Sequence, residues 1–183
     1  MRKDVTTDLK LLFQVLRGKK FIEASNFAIT KARLNPAERP GLRKHVPWIA
    51  RGLYQRLAEL GVSFDAVAGV PTGGEQYARA LTNLIRGYDC RELPHIWLEK
   101  VEEGMRVEDM GGSPRGVRVV LVEDLVCSGL AIKQAVGALA RINVEVVACL
   151  AVGELNYGIC RGLSVPLSSL FNREFLEREH IYA

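Results

Sequence analysis

Two adjacent carboxylates, Glu123 and Asp124, stand directly behind four apolar residues in the stretch Val119-Val-Leu-Val-Glu-Asp-Leu-Val-Cys-Ser-Gly-Leu-Ala131. Carboxylates accept hydrogen bonds from hydroxyl groups. After Leu125 and Val126, the small residues Cys127, Ser128 and Gly129 open the next apolar, helix-like run. Backbone N–H groups at a helix start favour an anion, by geometry and by the helix dipole. Acids beside an anion cradle match a sugar phosphate, whose hydroxyls meet the acids and whose phosphate meets the cradle.

A second loop of this kind lies upstream. Gly69-Val-Pro-Thr-Gly-Gly74 follows the apolar run Phe64–Val70. Its glycines let backbone N–H groups approach an anion closely. It is neither a Walker phosphate loop, which needs Gly-Lys-Ser/Thr, nor the GxGxxG dinucleotide pattern.

The elements that must position these loops can be read from periodicity. Leu9, Leu12, Phe13 and Leu16 predict a helix over about 7–17, and Ile49, Leu53, Leu57 and Leu60 another over about 44–60. Further helices are expected over about 74–87 and 129–141, and in the tail from Asn172. Strands are expected near Asn26–Lys31 and over Phe64–Val70, Pro94–Leu98, Val117–Val122, Val144–Val152 and Leu163–Leu170. Glu99–Pro114 is polar and glycine-bearing and reads as a long loop, a length that often marks a lid. Strands alternating with helices predict an α/β fold with a central, mostly parallel sheet flanked by helices. In such sheets ligands bind at the carboxyl ends of the strands, where Glu123 and Asp124 stand.

The Glu-Asp segment resembles the phosphoribosyl pyrophosphate (PRPP) motif of type I phosphoribosyltransferases: four hydrophobic residues, two acids, two hydrophobic residues, then a Thr/Ser- and Gly-rich loop. Cys127, Leu130 and Ala131 stand where that family usually has Thr, Gly and Thr or Ser. By this resemblance Glu123 and Asp124 would hold the ribose 2′- and 3′-hydroxyls. Val126, Cys127, Ser128, Gly129, Leu130 and Ala131 would wrap the 5′-phosphate. Asp65–Gly74 is similar to the pyrophosphate loop of the orotate-type members, which implies that Val70, Pro71, Thr72, Gly73 and Gly74 bind pyrophosphate. Glu99–Pro114 stands where the family keeps a lid, with Lys100 as its expected pyrophosphate contact. The lid often reaches a neighbouring subunit's site, which implies a homodimer. Mg²⁺ is the implied cofactor, carried on substrate and water with no side-chain ligand assigned.

Phe27-Ala-Ile-Thr-Lys-Ala-Arg-Leu-Asn-Pro36 resembles the orotate enzymes' element that hoods the base. Lys31 and Arg33 are then candidates to face an acidic base. After the strand Val144–Val152, the orotate enzymes usually place Asp-Arg where this chain has Gly153-Glu154. An acid there would repel the orotate carboxylate and would suit a base bearing amino or ring N–H groups. The expected activity is phosphoribosyl transfer from PRPP to a nucleobase, orotate favoured. The alternatives are a purine-type transferase and a non-catalytic PRPP or nucleotide sensor.

Size and composition bound these readings. A chain of 183 residues is expected to form one domain, a hood element over about 1–40 and a core over about 41–183. Hydrophobic content of 48% and charged content of 25% fit a soluble globular protein. With no apolar run of membrane length and no signal core, the expected location is the cytoplasm. The four cysteines, Cys90, Cys127, Cys149 and Cys160, have no zinc-site spacing and are expected as thiols, Cys149 as a small buried hydrophobe. A net charge of +4 is mild. Its basic clusters, Arg17/Lys19/Lys20 and Arg39/Arg43/Lys44, do not make a nucleic-acid stripe.

Overall fold

A computed structural model describes residues 8–25, 28–108, 116–155 and 163–179. A five-stranded sheet, in the order β4-β3-β7-β8-β9, organises these residues. Its strands are β3 (Ala66–Gly69), β4 (His95–Ile96), β7 (Arg118–Val126), β8 (Glu145–Glu154) and β9 (Leu167–Phe171), and every pairing between them is parallel. All the reactive loops singled out in the sequence therefore leave the same edge of the sheet.

Helices cover both faces. On one, α2 (Val46–Leu60) and α3 (Gly73–Asp89) bury Ile49, Leu53, Tyr77 and Leu81 against Val67, Val120, Val122, Leu150 and Val152. On the other, Ile132, Ala135 and Leu139 of α4 (Leu130–Ala140) pack on Ala66, Ala68, Leu121 and Cys149. Strands covered twice need apolar residues at successive positions, which is why Val119–Val122 reads as an unbroken apolar run. The helices α3 and α4 each join two strands of the parallel sheet, β3 to β4 and β7 to β8, the connection that parallel pairing demands.

The ends are tied down locally. Asp8 caps α1 (Leu9–Gly18) by accepting from the Leu11 amide at 2.9 Å, and Asn172 caps α5 (Arg173–Arg178) by accepting from Phe175 at 2.9 Å. Phe13 of α1 packs edge-on against Phe171 and at a tilt against Phe175, with ring centroids 5.3 and 5.6 Å away. Arg118 donates two side-chain bonds of 3.0 Å to Asp65, joining the starts of β3 and β7. These bonds hold the Asp65 carboxyl down at about 2.

Three sequence expectations need correction. An additional strand, β1 (Ile22–Ser25), follows α1 and pairs antiparallel with β2 (Ala28–Ala32). Of the predicted strand at 26–31, Asn26 and Phe27 lie outside the described residues. Glu99–Pro114 is not a plain loop. It opens with an antiparallel hairpin, β5 (Leu98–Val101) and β6 (Gly104–Val107), and residues 109–115 lie outside the described residues. The hairpin forms because Leu98 and Met105 reach the apolar cluster around α4 while Lys100 and Arg106 stay exposed. Finally, the strand carrying the acids does not stop at Val122. β7 continues through Val126, pairing Leu125 with Gly153 and Val126 with Glu154.

Candidate active site

A cleft of about 310 Å³ opens between the hood and the sheet edge. Its hood wall is the chain from Ala32 to Asn35, with Glu38. Its floor is Thr72 and Gly73 from the β3–α3 loop, with Asp124 and Leu125 from the end of β7.

The two acids are placed differently. Asp124 is half-buried, lines the cleft, and accepts from the Leu125 amide through Oδ1 at 2.9 Å. Glu123 is 5% exposed and does not line the cleft, unlike the ribose contact that the resemblance implied. Because β7 runs through both residues, strand alternation puts Glu123 on the face of Leu121, toward α4. Its Oε1 accepts from the Asp124 amide at 3.0 Å. Burial, then a side-chain bond with Asp124 and the charge of Asp124, push the Glu123 carboxyl well above the ordinary carboxylate range, against the lowering effect of the amide bond. Glu123 is thus held neutral behind Asp124, and Asp124 is the acid that meets the cleft.

The β3–α3 loop is pressed against these acids. A Cβ on Gly73 would fall inside the Asp124 carboxylate, and one on Gly74 would overlap the Val122 carbonyl. Neither glycine has positive φ, so close approach, not an unusual backbone turn, is what requires them. The Val70 amide donates to Val122 at 2.8 Å and the Gly74 amide to Val70 at 3.0 Å, so these two N–H groups are engaged within the fold. Pro71 leads into Thr72 through a cis peptide, and of the five loop residues Thr72 and Gly73 line the cleft.

The 126–131 loop leaves the same sheet edge next to Asp124. Val126 is buried as the last residue of β7. Cys127 and Ser128 are exposed, Gly129 turns into α4 at φ +71°, and the Leu130 amide donates to Ser128 Oγ at 3.3 Å. Leu130 itself projects into solvent and Ala131 is half-buried. Desolvation, then Asp124 and Glu123, raise the Cys127 thiol pKa, so the group stays protonated near neutral pH. None of the six lines the cleft between hood and sheet.

The remaining candidates separate cleanly. Arg33 lines the cleft. Lys31 lies outside it, 3.6 Å from Glu23 across the β1–β2 hairpin. Lys100 sits exposed on β5, away from the cleft lining. Glu154, the acid expected to bear on the base, accepts from Ser169 Oγ of β9 at 3.2 Å and is likewise outside the lining.

Several lining or supporting residues were not foreseen. Asn35 donates to Thr72 Oγ1 at 2.9 Å and to Glu38 at 3.0 Å, and accepts from the Ala37 amide at 2.9 Å. Buried Tyr77 donates to the Leu34 carbonyl at 2.7 Å. The Asn-Pro-Ala sequence was a legible sign of the Asn35 turn, since Asn side chains bond the amide two residues on. Nothing local announced its reach to Thr72.

The paired acids and the close-packed glycine loop fall in a region that is matched in sequence as well as in shape. A family model described as the phosphoribosyl transferase domain covers residues 44–156. The chain belongs to that family. Among relatives, the orotate phosphoribosyltransferase of Bartonella tribocorum is 31% identical over 130 residues, 69% of this chain and 62% of that protein. The orotate phosphoribosyltransferase of Listeria monocytogenes is 29% identical over 124 residues, 67% of this chain and 56% of that protein. The matched region thus spans little more than half the length of these curated relatives. Among solved structures, a Mycobacterium tuberculosis orotate phosphoribosyltransferase in complex with PRPP superposes with a TM-score of 0.66 at 19% identity, covering 93% of this chain and 99% of that one. That likeness is one of fold. It agrees with the parallel sheet and flanking helices that place this phosphoribosyl transferase domain's loops on one edge.

Proposed function

We propose that this chain transfers ribose 5-phosphate from PRPP to a nucleobase, with orotate the favoured base. The observation that carries the reading is the cleft in which Asp124, the Thr72–Gly73 loop and the hood converge. A donor sugar needs all three: an acceptor for its hydroxyls, a cradle for its leaving group, and a wall for the incoming base.

In this reading Asp124 accepts from a ribose hydroxyl, and neutral Glu123 supports it through the Asp124 amide. Ser128, Gly129 and their neighbours take the 5′-phosphate at the start of α4. Thr72 and Gly73 face the pyrophosphate. Charge gathers on pyrophosphate as the anomeric bond breaks, so donors fixed on that side lower the barrier. Asp124 and Glu38 are oxygen donors at the cleft, a set suited to a hard cation, and Mg²⁺ bound there with substrate and water would offset the leaving group's charge. Arg33 supports an anionic base because it is the basic side chain on the cleft wall. Glu154 accepts from Ser169 and lies outside the cleft lining, an arrangement compatible with orotate in the cleft. Lys100 belongs to the lid hairpin, and we assign it to pyrophosphate across a homodimer, with the enzyme in the cytoplasm.

The test is pyrophosphate release from PRPP and Mg²⁺ with orotate, uracil, adenine and guanine in parallel. Orotate is expected to give the highest kcat/KM. Tight PRPP binding by calorimetry with no release from any base would replace the enzyme with a sensor. Release with a purine alone would reassign the base.

A further inference from the structure

We propose that Asn35 is a positioning residue that turns the Thr72 hydroxyl into a hydrogen-bond donor for the leaving pyrophosphate. The inference rests on the phosphoribosyl-transfer reading and adds to it a residue that bridges the base wall and the leaving-group loop.

The orientation of the Asn35 amide is fixed by its surroundings. Its oxygen accepts from the Ala37 amide at 2.9 Å, and its nitrogen faces the Glu38 carboxylate at 3.0 Å. A carboxylate can only accept and a backbone N–H can only donate, so the reverse orientation would lose both bonds. The same nitrogen reaches Thr72 Oγ1 at 2.9 Å. Its two N–H groups are thereby spent, one on Glu38 and one on Thr72. The Thr72 oxygen is obliged to accept, and its own proton is left to point elsewhere. Thr72 and Gly73 form the cleft floor, so an anionic oxygen seated there is the partner that proton can meet.

The bridge has firm abutments. Tyr77 Oη donates to the Leu34 carbonyl at 2.7 Å, and Arg43 Nε donates to the Pro36 carbonyl at 3.3 Å. The Asn35 carbonyl accepts from the Arg39 amide at 3.1 Å. The chain on either side of Asn35 is therefore held without the Thr72 bond. That bond is spare as a fastening, and its evident consequence is the direction of one hydroxyl proton.

The experiment is a double-mutant cycle between Asn35→Ala and Thr72→Val, read by calorimetry with inorganic pyrophosphate and Mg²⁺ and by initial rates at varied PRPP. Asn35→Ala is expected to weaken pyrophosphate and raise the KM for PRPP roughly 3- to 10-fold, the range of one lost net hydrogen bond. In the Thr72→Val background the same change is expected to have less than about a 2-fold effect, because no hydroxyl remains to orient. The KM for the base at saturating PRPP should move less than that for PRPP. Thr72→Ser is the conservative control: it keeps the hydroxyl that Asn35 orients, and pyrophosphate binding should stay within about 2-fold of wild type. A purely structural role would lower the melting temperature of Asn35→Ala and weaken pyrophosphate equally with and without Thr72→Val. Independent, multiplying effects, or pyrophosphate binding unchanged by Asn35→Ala, would overturn the inference while leaving transfer intact. A wild-type chain that binds neither PRPP nor pyrophosphate would overturn the underlying reading and this inference with it.

Discussion

Gly73 and Asp124 share one volume: the space that any side chain at position 73 would need is filled by the Asp124 carboxylate. The glycine lets the cleft floor close onto the acid. Gly73→Ala is expected to force Asp124 aside, costing about 1–3 kcal/mol of stability, the usual range for overpacking, and more than roughly tenfold in PRPP affinity. The companion double variant, Gly73→Ala with Asp124→Ala, removes the obstacle and should regain stability without regaining affinity. Thermal melts and PRPP calorimetry on the pair separate the two effects. A Gly73→Ala protein matching wild type in both would show that the contact carries neither.

Glu123 makes stability depend on pH in an unusual direction. Its folded pKa is raised, so above its ordinary value near 4.5 the unfolded chain releases a proton that the folded chain retains. The folded state then binds more protons, and stability falls as pH rises above that value. Glu123→Gln keeps an acceptor for the Asp124 amide and removes the titration. The variant should equal wild type near pH 4 and gain on it at higher pH, with a slope no steeper than about 1.4 kcal/mol per pH unit. Urea midpoints at pH 5, 7 and 9 supply the check, and parallel curves would refute a neutral Glu123.

Arg33 and Lys31 are two residues apart in sequence but face different surroundings. Arg33 lines the cleft, whereas Lys31 sits beside Glu23 on the hairpin. Arg33→Ala is expected to raise the KM for orotate by roughly 10- to 100-fold, the scale of a lost charge-assisted hydrogen bond, with the KM for PRPP little changed. Lys31→Ala should stay within about 2-fold on both, since an exposed ion pair contributes about 1 kcal/mol at most. Steady-state kinetics on the two variants decides the assignment, and the reverse ranking would move the base-facing charge to Lys31.

These contrasts show what the sequence could and could not disclose. The buried strand Val119–Val122, the acids at its end and the glycine loop were legible because each follows a short-range rule: apolar run, turn chemistry, helix start. The direction of Glu123 was not, because it depends on β7 pairing with β8 as far as Val126 and Glu154, a non-local event. The hairpin at 98–107 was hidden by its charge. Glu99, Lys100, Glu102, Glu103 and Arg106 outnumber the apolar residues, yet Leu98 and Met105 suffice to seat it by α4. The reach of Asn35 to Thr72 was hidden for a similar reason, since Thr72 lies 37 positions away in the chain. Family resemblance pointed to the loops, whereas the roles of Glu154 and Lys31 turned on partners, Ser169 and Glu23, that only the fold brings near.

His95, outside the cleft lining, provides an acid-side counterpart to Glu123. Both ring nitrogens are buried without a hydrogen-bond partner, and the ring packs edge-on against Trp97 at 4.6 Å. Arg79 lies over the same indole at 5.4 Å. Desolvation, then the Arg79 charge, lower the His95 pKa from 6.5 to about 4. The unfolded chain therefore takes up a proton below pH 6.5 that the folded chain refuses until near pH 4, and stability falls as pH drops through that window. His95→Phe keeps the ring contact and removes both the titration and the unpaired nitrogens. It should be at least as stable as wild type at pH 7, and its advantage should widen toward pH 4.5. Melting curves across pH 4–7 test this. A wild-type protein whose stability is flat there relative to the variant would mean that His95 finds a partner for its proton in solution.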